Sequence, residues 1–100
     1  MEAKSVKKNK KEERMQTIFM LMSRYDTRVM VPLELVRKDF FPELSLNLLK
    51  TKTESGEIPL VVTRLGPSQK SSRMVHVKDL ADFIDDQAKR ARTEARRKVA

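Results

Sequence analysis

The sequence predicts an α+β domain assembled from short helices and one β-hairpin. Three observations predict it. Leu33, Val36 and Phe40 recur at the i, i+3, i+7 spacing of one helical face. A second segment, Leu46 to Ser55, opens behind Ser45 and closes on Gly56, the residue types that start and stop helices. Two apolar runs, Leu60–Leu65 and Met74–Val77, then flank a polar tip, Gly66-Pro67-Ser68-Gln69-Lys70-Ser71-Ser72-Arg73. Runs of this kind around a Gly-Pro bend read as paired strands.

Taken in order, the chain begins with a Lys/Glu-rich stretch, Met1 to Arg14, that is either disordered or the frayed start of a helix. Ile18, Leu21, Met22 and Tyr25 share a helical face, with Thr17 as the cap; the same run also suits a buried strand, and helix is preferred. Asp26-Thr27-Arg28 reads as a turn, and Val29-Met30-Val31 as a short strand. Pro32 suits the first helical position, where its missing N–H is not needed. The helix that follows turns Leu33, Leu35, Val36 and Phe40 inward and Arg37 and Lys38 outward, and Pro42 ends it. In the next helix Leu46, Leu49 and Thr53 lie along one side, and Asn47, Lys50, Thr51 and Glu54 along the other. Pro59 blocks its continuation. The eight-residue hairpin connection is too long for a tight turn, which marks it as mobile or as a contact surface. A last helix starts at Val77-Lys78-Asp79, with Leu80, Phe83 and Ile84 facing the core. Its tail beyond Asp86 is either an exposed basic extension of that helix or disordered.

A helix followed at once by a hairpin with a cationic tip is the layout of a winged helix. The fold expected is therefore a small winged helix-turn-helix domain with a two-stranded wing and flanking N- and C-terminal helices. Residues 1–14 form a basic N-terminal tail, 15–86 the folded domain, and 87–100 a basic C-terminal extension.

The formal net charge of +8 is distributed unevenly. Residues 1–14 carry +3 and residues 87–100 carry +5, so the domain between them, with ten basic and ten acidic side chains, is neutral. Bulk basicity thus says only that the ends are solvated or touch phosphate. Within the neutral domain, Ile58 to Lys78 holds Arg64, Lys70, Arg73 and Lys78 and no acid, and Asp79, Asp82, Asp85 and Asp86 follow. The hairpin is locally cationic.

Composition excludes several classes. With no cysteine there is no disulfide framework, thiolate nucleophile or Cys-based zinc site. The longest apolar run, Ile18 to Met22, is far short of the roughly 20 residues a membrane span needs. No signal-peptide pattern follows the N-terminus, and a cytoplasmic location is expected. The single histidine, His76, lacks a partner for base or metal chemistry. The aspartates after Val77 lack the Gly-centred calcium loop, and no nucleophile-elbow, P-loop or zinc-protease motif occurs. An enzyme is not expected, and neither is a cofactor or a metal. The methionines and phenylalanines fall mostly at core-facing positions and do not interleave with basic residues as a base-stacking platform requires.

Duplex DNA is the partner these features suit. Asn47 is placed to pair with adenine edges, Lys50 and Lys52 to reach guanine or phosphate, and Thr51 to meet a thymine methyl or a phosphate. In the hairpin, Arg64 with Gln69, Lys70, Ser71, Ser72 and Arg73 offers charge and compact donors that track a backbone or enter the minor groove.

The order Pro32–Phe41, Ser45-Leu46-Asn47, Ser55-Gly56-Glu57-Ile58-Pro59, hairpin, Val77-Lys78-Asp79-Leu80-Ala81-Asp82-Phe83-Ile84 resembles the excisionase and MerR-type winged helix. More closely, the chain resembles the pyocin activator (PrtN-like) family. The segments that carry the likeness are Thr17–Tyr25, Val31-Pro32-Leu33-Glu34, Ser55–Leu60, Ser68-Gln69-Lys70 and Val75–Asp85. The resemblance implies a transcriptional activator of phage-tail-like bacteriocin or prophage genes, with Ser68-Gln69-Lys70 as the wing motif. Lys52 and Thr53 depart from the aliphatic pair common in excisionase recognition helices. Partners expected on this reading are double-stranded DNA, RNA polymerase, and further copies of the chain on repeated sites. An excisionase-like DNA-bending factor and a protein-binding adaptor are the alternatives.

Overall fold

Alternating short apolar runs and turn signals fold into an α+β arrangement in the computed structural model, which describes residues 10–68 and 70–99. Its elements are α1 (Lys10–Arg24), β1 (Met30–Pro32), α2 (Leu33–Phe40), α3 (Leu46–Ser55), β2 (Thr63–Arg64), β3 (Arg73–His76) and α4 (Val77–Val99). The three strands form one antiparallel sheet in the order β1-β3-β2. Among the described residues this is the architecture of a small winged helix-turn-helix-like domain. The wing hairpin is joined by a third strand, because β1 pairs Met30, Val31 and Pro32 with His76, Val75 and Met74.

The preferred helix over residues 17–25 is present, but it starts at Lys10, so Thr17 lies inside it and is not its cap. The Thr17 hydroxyl instead donates to Asp85 Oδ1 at 2.7 Å. Glu13 and Arg14 line one groove with Lys89 and Arg92 of α4. The two helices pack side by side, with Arg14 ion-paired to Asp82 across the seam. Leu21 and Tyr25 are buried, and Ile18 and Met22 pack beside them. The helices run through both ends of the 15–86 segment: α1 begins before Met15, and α4 continues helical to Val99. The stretch before Lys10 lies outside the described residues.

The turn after α1 holds Asp26 and Thr27 in the left-handed region, φ 56° and 61°. The Tyr25 N–H donates to Leu21 O, the Thr27 N–H to Met22 O and the Arg28 N–H to Tyr25 O, which closes the end of α1. Asp tolerates this conformation; β-branched Thr does so less readily, and the bond from the Thr27 N–H to Met22 O holds it there. The Tyr25 hydroxyl donates to Asp39 Oδ2 at 2.6 Å, and Arg24 donates to Asp39 Oδ1 at 2.9 Å. The Tyr25 bond holds the Asp39 carboxyl below its ordinary range, with Arg24 adding to the shift. Burial first, then this same contact, pushes Tyr25 well above its ordinary value. One carboxylate thus ties α1 to α2.

Three local expectations are corrected around α2. Pro32 stands one position earlier than expected, as the cap residue (φ −56°, ψ 139°), because it also ends edge strand β1, where a missing donor is tolerated. Phe40 is partly exposed, and Phe41 takes the inward place 5.9 Å from Phe83. The helix ends after eight residues, and the change of backbone direction swaps the two rings. Arg37, expected outward, has a side chain only 20 % exposed. It grips the Glu34 carboxylate at 2.8 and 2.9 Å and donates to Leu44 O at 2.9 Å, which fixes the turn into α3. That contact lowers the Glu34 pKa and raises the Arg37 pKa.

α3 follows its signals closely. The Ser45 hydroxyl accepts the Leu48 N–H at 3.1 Å, and Gly56 ends the helix at φ 86°, a conformation open to glycine. Leu49 is fully buried and Leu46 packs beside it. The wing strands differ from the expected bounds. β2 is limited to Thr63–Arg64, because Leu60 is drawn into the core and carries Val61 and Val62 away from β3. β3 runs Arg73–His76, one residue earlier than expected, so Arg73 belongs to a strand and not to the tip. Val77 opens α4, where the His76 Nδ1 accepts the Lys78 N–H at 3.0 Å and so caps the helix.

The core joins Leu21, Tyr25, Val31, Leu33, Val36, Leu49, Leu60, Val75, Val77, Leu80 and Ala81, drawn from α1, β1, α2, α3, β3, α4 and the segment before β2. Not every large apolar residue joins it. Met15, Phe19 and Met20 lie on the outer side of α1, away from the face of Ile18, Leu21, Met22 and Tyr25, with Phe19 and Met20 each 74 % exposed.

Candidate nucleic-acid interface

At 100° per residue, Asn47, Leu48, Thr51, Glu54 and Ser55 share one face of α3, opposite Leu46, Leu49 and Thr53. All five are exposed. Burial of Leu49 and the Arg37 brace on the preceding turn orient the helix so that this face is free. Lys50 and Lys52 flank it on either side, each half-buried along its stem. The Thr51 hydroxyl donates to Asn47 O at 3.1 Å, which leaves its methyl group and an acceptor lone pair outward.

The wing is built by its own small side chains. The Leu65 N–H donates to Ser72 O and the Ser71 N–H to Ser68 O, each at 3.0 Å. Ser71 Oγ accepts the Ser68 N–H, and Ser68 Oγ accepts the Lys70 N–H. Ser68 and Ser71 therefore close the tip and aim Lys70 into solvent. Gly66 is closely approached there: a Cβ at this position would lie 2.6 Å from Ser71 Oγ and displace it. Gln69 lies outside the described residues.

The expected basic contacts fall into two groups. Arg64 and Arg73 stand directly opposite each other on β2 and β3, a like-charge pair that repels. The Glu54 carboxylate of α3 relieves this repulsion, at 3.2 Å from Arg73 and 3.8 Å from Arg64. Arg73 is withdrawn, its side chain 9 % exposed, so its charge serves the joint between α3 and the wing. Lys52 is held by Glu57 at 2.6 Å, on the loop that leaves α3. Among the described residues Lys50 and Lys70 carry no ion pair. The structure thus brings Asn47, Thr51, Lys50 and the wing strands into one α3–wing unit, and it diverts Lys52, Arg64 and Arg73 to holding that unit together.

Two residues were missed as contributors. Leu48, 42 % exposed, sits beside Asn47 and Thr51 on the outward face and adds an apolar side chain to it. The helical period places it there, but its pairing with buried Leu49 hides it among core residues. Glu54 falls on the outer face by the same period, while its role depends on strand register that no local signal sets. Among the described residues, no group of three or more His, Cys, Asp or Glu is arranged to hold a metal. No helix of the described residues is long and apolar enough to cross a membrane.

The resemblance read from residues 17–86 can now be set against known proteins. A family model described as pyocin activator protein PrtN matches residues 17–91, from within α1 to within α4, and so contains β1, the α2–α3 pair, the wing and the core. No curated protein and no solved structure matches the chain. With most of its length in that match, the chain belongs to the pyocin activator protein (PrtN) family.

Proposed function

We propose that this protein is a sequence-specific double-stranded DNA-binding regulator of transcription, an activator of phage-tail-like bacteriocin or prophage genes. It acts in the cytoplasm without enzymatic chemistry. The observation that carries the reading is the solvent-facing row Asn47, Leu48 and Thr51 on a capped helix braced against a wing. A helix of ten residues is about 15 Å long, which suits the major groove. Asn47 pairs with an adenine edge, Leu48 and Thr51 meet thymine methyls, and Lys50 reaches guanine or phosphate. The wing presents Lys70 to the backbone or the minor groove. Activation then follows from contact with RNA polymerase through another surface, with several copies on repeated sites. The family's description as activators supports this reading over recombination.

A mobility-shift titration of the full chain on duplex fragments from bacteriocin or prophage promoters tests it. Saturable binding that prefers one fragment, and a promoter-reporter that responds to the protein, are the expected results. Absence of duplex binding at low salt defeats the proposal, and excision activity without reporter activation reassigns it to recombination.

A further inference from the structure

α4 changes character along its length. Its first turns supply Val77, Leu80 and Ala81 to the core, and its acids Asp82 and Asp85 are turned to Arg14 and Thr17 of α1. Beyond Asp86 nothing is buried, and the helix continues to Val99. At 100° per residue, Lys89, Arg90, Arg92, Arg96 and Arg97 fall within an arc of about 160°, with Thr93 in its middle. Ala88, Ala91 and Ala95 lie on the other side together with Lys98, and Val99 borders the arc beside Arg92. The inner edge of the stripe borders Glu13, Asp85 and Asp86, and Glu94 lies 3.9 Å from Arg97 in an exposed i,i+3 pair. Even so, residues 87–100 hold six basic side chains against one acid.

Cations in a last turn complement the helix dipole, which accounts for Arg96, Arg97 and Lys98 but not for Lys89, Arg90 and Arg92. Three small apolar side chains make neither a coiled-coil seam nor a membrane-seeking face. A one-sided row of guanidinium and ammonium groups suits a row of phosphates. Lys89 to Arg97 spans about 12 Å, matching three to four phosphates of one DNA strand. The α3–wing unit needs such help. Residues 15–86 are neutral, and Glu54 and Glu57 occupy three of the five cations expected at the interface.

We propose that the C-terminal half of α4 is a phosphate-binding arm that holds the DNA backbone beside the site read by α3. The proposal rests on the DNA-binding reading above. Because the family match ends at residue 91, Arg92, Arg96 and Arg97 lie outside the matched segment. The arm supplies affinity and salt dependence, while base preference stays with α3.

The test measures binding of the full chain to a mixed-sequence duplex by fluorescence anisotropy over a salt series. It compares the wild type with a variant carrying Lys89→Gln, Arg90→Gln, Arg92→Gln, Arg96→Gln and Arg97→Gln, and with Asn47→Ala. Circular dichroism checks that helix content is kept. The glutamine variant is expected to lose about 4 from the slope of log K against log salt, and about 100-fold or more in affinity at moderate salt. Asn47→Ala is expected to keep the slope. A charge-conserving variant (Arg90→Lys, Arg92→Lys, Arg96→Lys, Arg97→Lys) is expected to keep the wild-type slope within about 1, so a change in it counts against a purely electrostatic arm. Wild-type binding with an unaltered slope in the glutamine variant overturns the arm and leaves the DNA-binding reading standing; the stripe then serves an acidic protein surface. No wild-type binding at low salt overturns both.

Discussion

The wing and the far end of α4 are both rich in arginine, yet they hold their charge in opposite ways. On the wing, Arg64 and Arg73 face each other across the sheet and share one carboxylate, Glu54. Along α4, Arg90, Arg92 and Arg96 stand on a solvated helix, and Arg97 has only a long, exposed pair with Glu94. The first set is structural: it fixes the angle between a helix and a hairpin. The second stands on a stretch of helix that buries no residue in the core. A count of basic residues treats the two alike. Charge available to a partner depends on what each cation already touches.

The largest effect that separates the two regions comes from the core behind α3. Leu49 is fully buried, and Leu49→Ala is expected to cost about 2–5 kcal/mol in chemical denaturation. A small domain has little stability to lose. Base-selective binding should fall with the fold. Binding to mixed-sequence DNA should fall less, since the far half of α4 makes no core contact. Equal loss of both kinds of binding would show that the two regions do not act independently.

Glu54→Gln works in the opposite sense to removing the α4 cations. It takes away the charge that occupies Arg64 and Arg73 and leaves the arginines facing one another. Stability should drop by about 1 kcal/mol, while the salt slope steepens by up to about 1 as Arg64, the more exposed of the two, finds a phosphate. Tighter binding from a destabilised variant is an unusual signature, readable by pairing thermal melts with salt titrations. If affinity falls with stability, Glu54 is needed to present the wing and the contrast drawn above is wrong. Gly66→Ala should have a smaller effect, about 1 kcal/mol, because the added Cβ displaces Ser71 Oγ and loosens the tip that aims Lys70. Weaker non-selective binding with unchanged base preference is the expected readout.

Where the chain obeyed local rules, its sequence was a good guide. Ser45 and Gly56 bound α3 through interactions within a few residues, and the strand expected at Val29–Val31 formed one residue later, at Met30–Pro32. The outward row Asn47 and Thr51 followed from helical period alone. What the sequence hid was tertiary. The eight-residue connection between the hairpin runs left strand register open, so nothing local set Arg64 opposite Arg73 or brought Glu54 between them. Arg37 looked like a surface residue because its carbonyl partner, Leu44, lies beyond the helix end. By contrast, the helical period rightly put Ile18, Leu21, Met22 and Tyr25 on the inner face of α1 and left Phe19 and Met20 off it. The α4 stripe was visible as charge, but its one-sidedness required knowing that the helix continues past Asp86.

The smallest effect serves as a control, because it lies at the α1–α2 joint and involves neither arginine set. Asp39 accepts from Tyr25 and Arg24, and the Tyr25 bond lowers its pKa below the ordinary 3.8. A carboxyl whose folded pKa is depressed contributes stability that is fully present above the unfolded value. That contribution is lost as pH falls through the folded value. Acid should therefore loosen the packing of α1 against α2 below about pH 4, by roughly 1 kcal/mol at most for this contact. Asp39→Asn keeps an acceptor for Tyr25 but cannot titrate, so its stability should be flatter across the same window. Tyr25, shifted upward, keeps its proton and its bond throughout. Urea midpoints measured from pH 6 down to pH 3 would show the difference between variant and wild type. Parallel acid limbs would remove Asp39 from the account, whereas a flatter limb with DNA affinity unchanged at neutral pH would show that this joint stabilises the fold without contributing to either cationic surface.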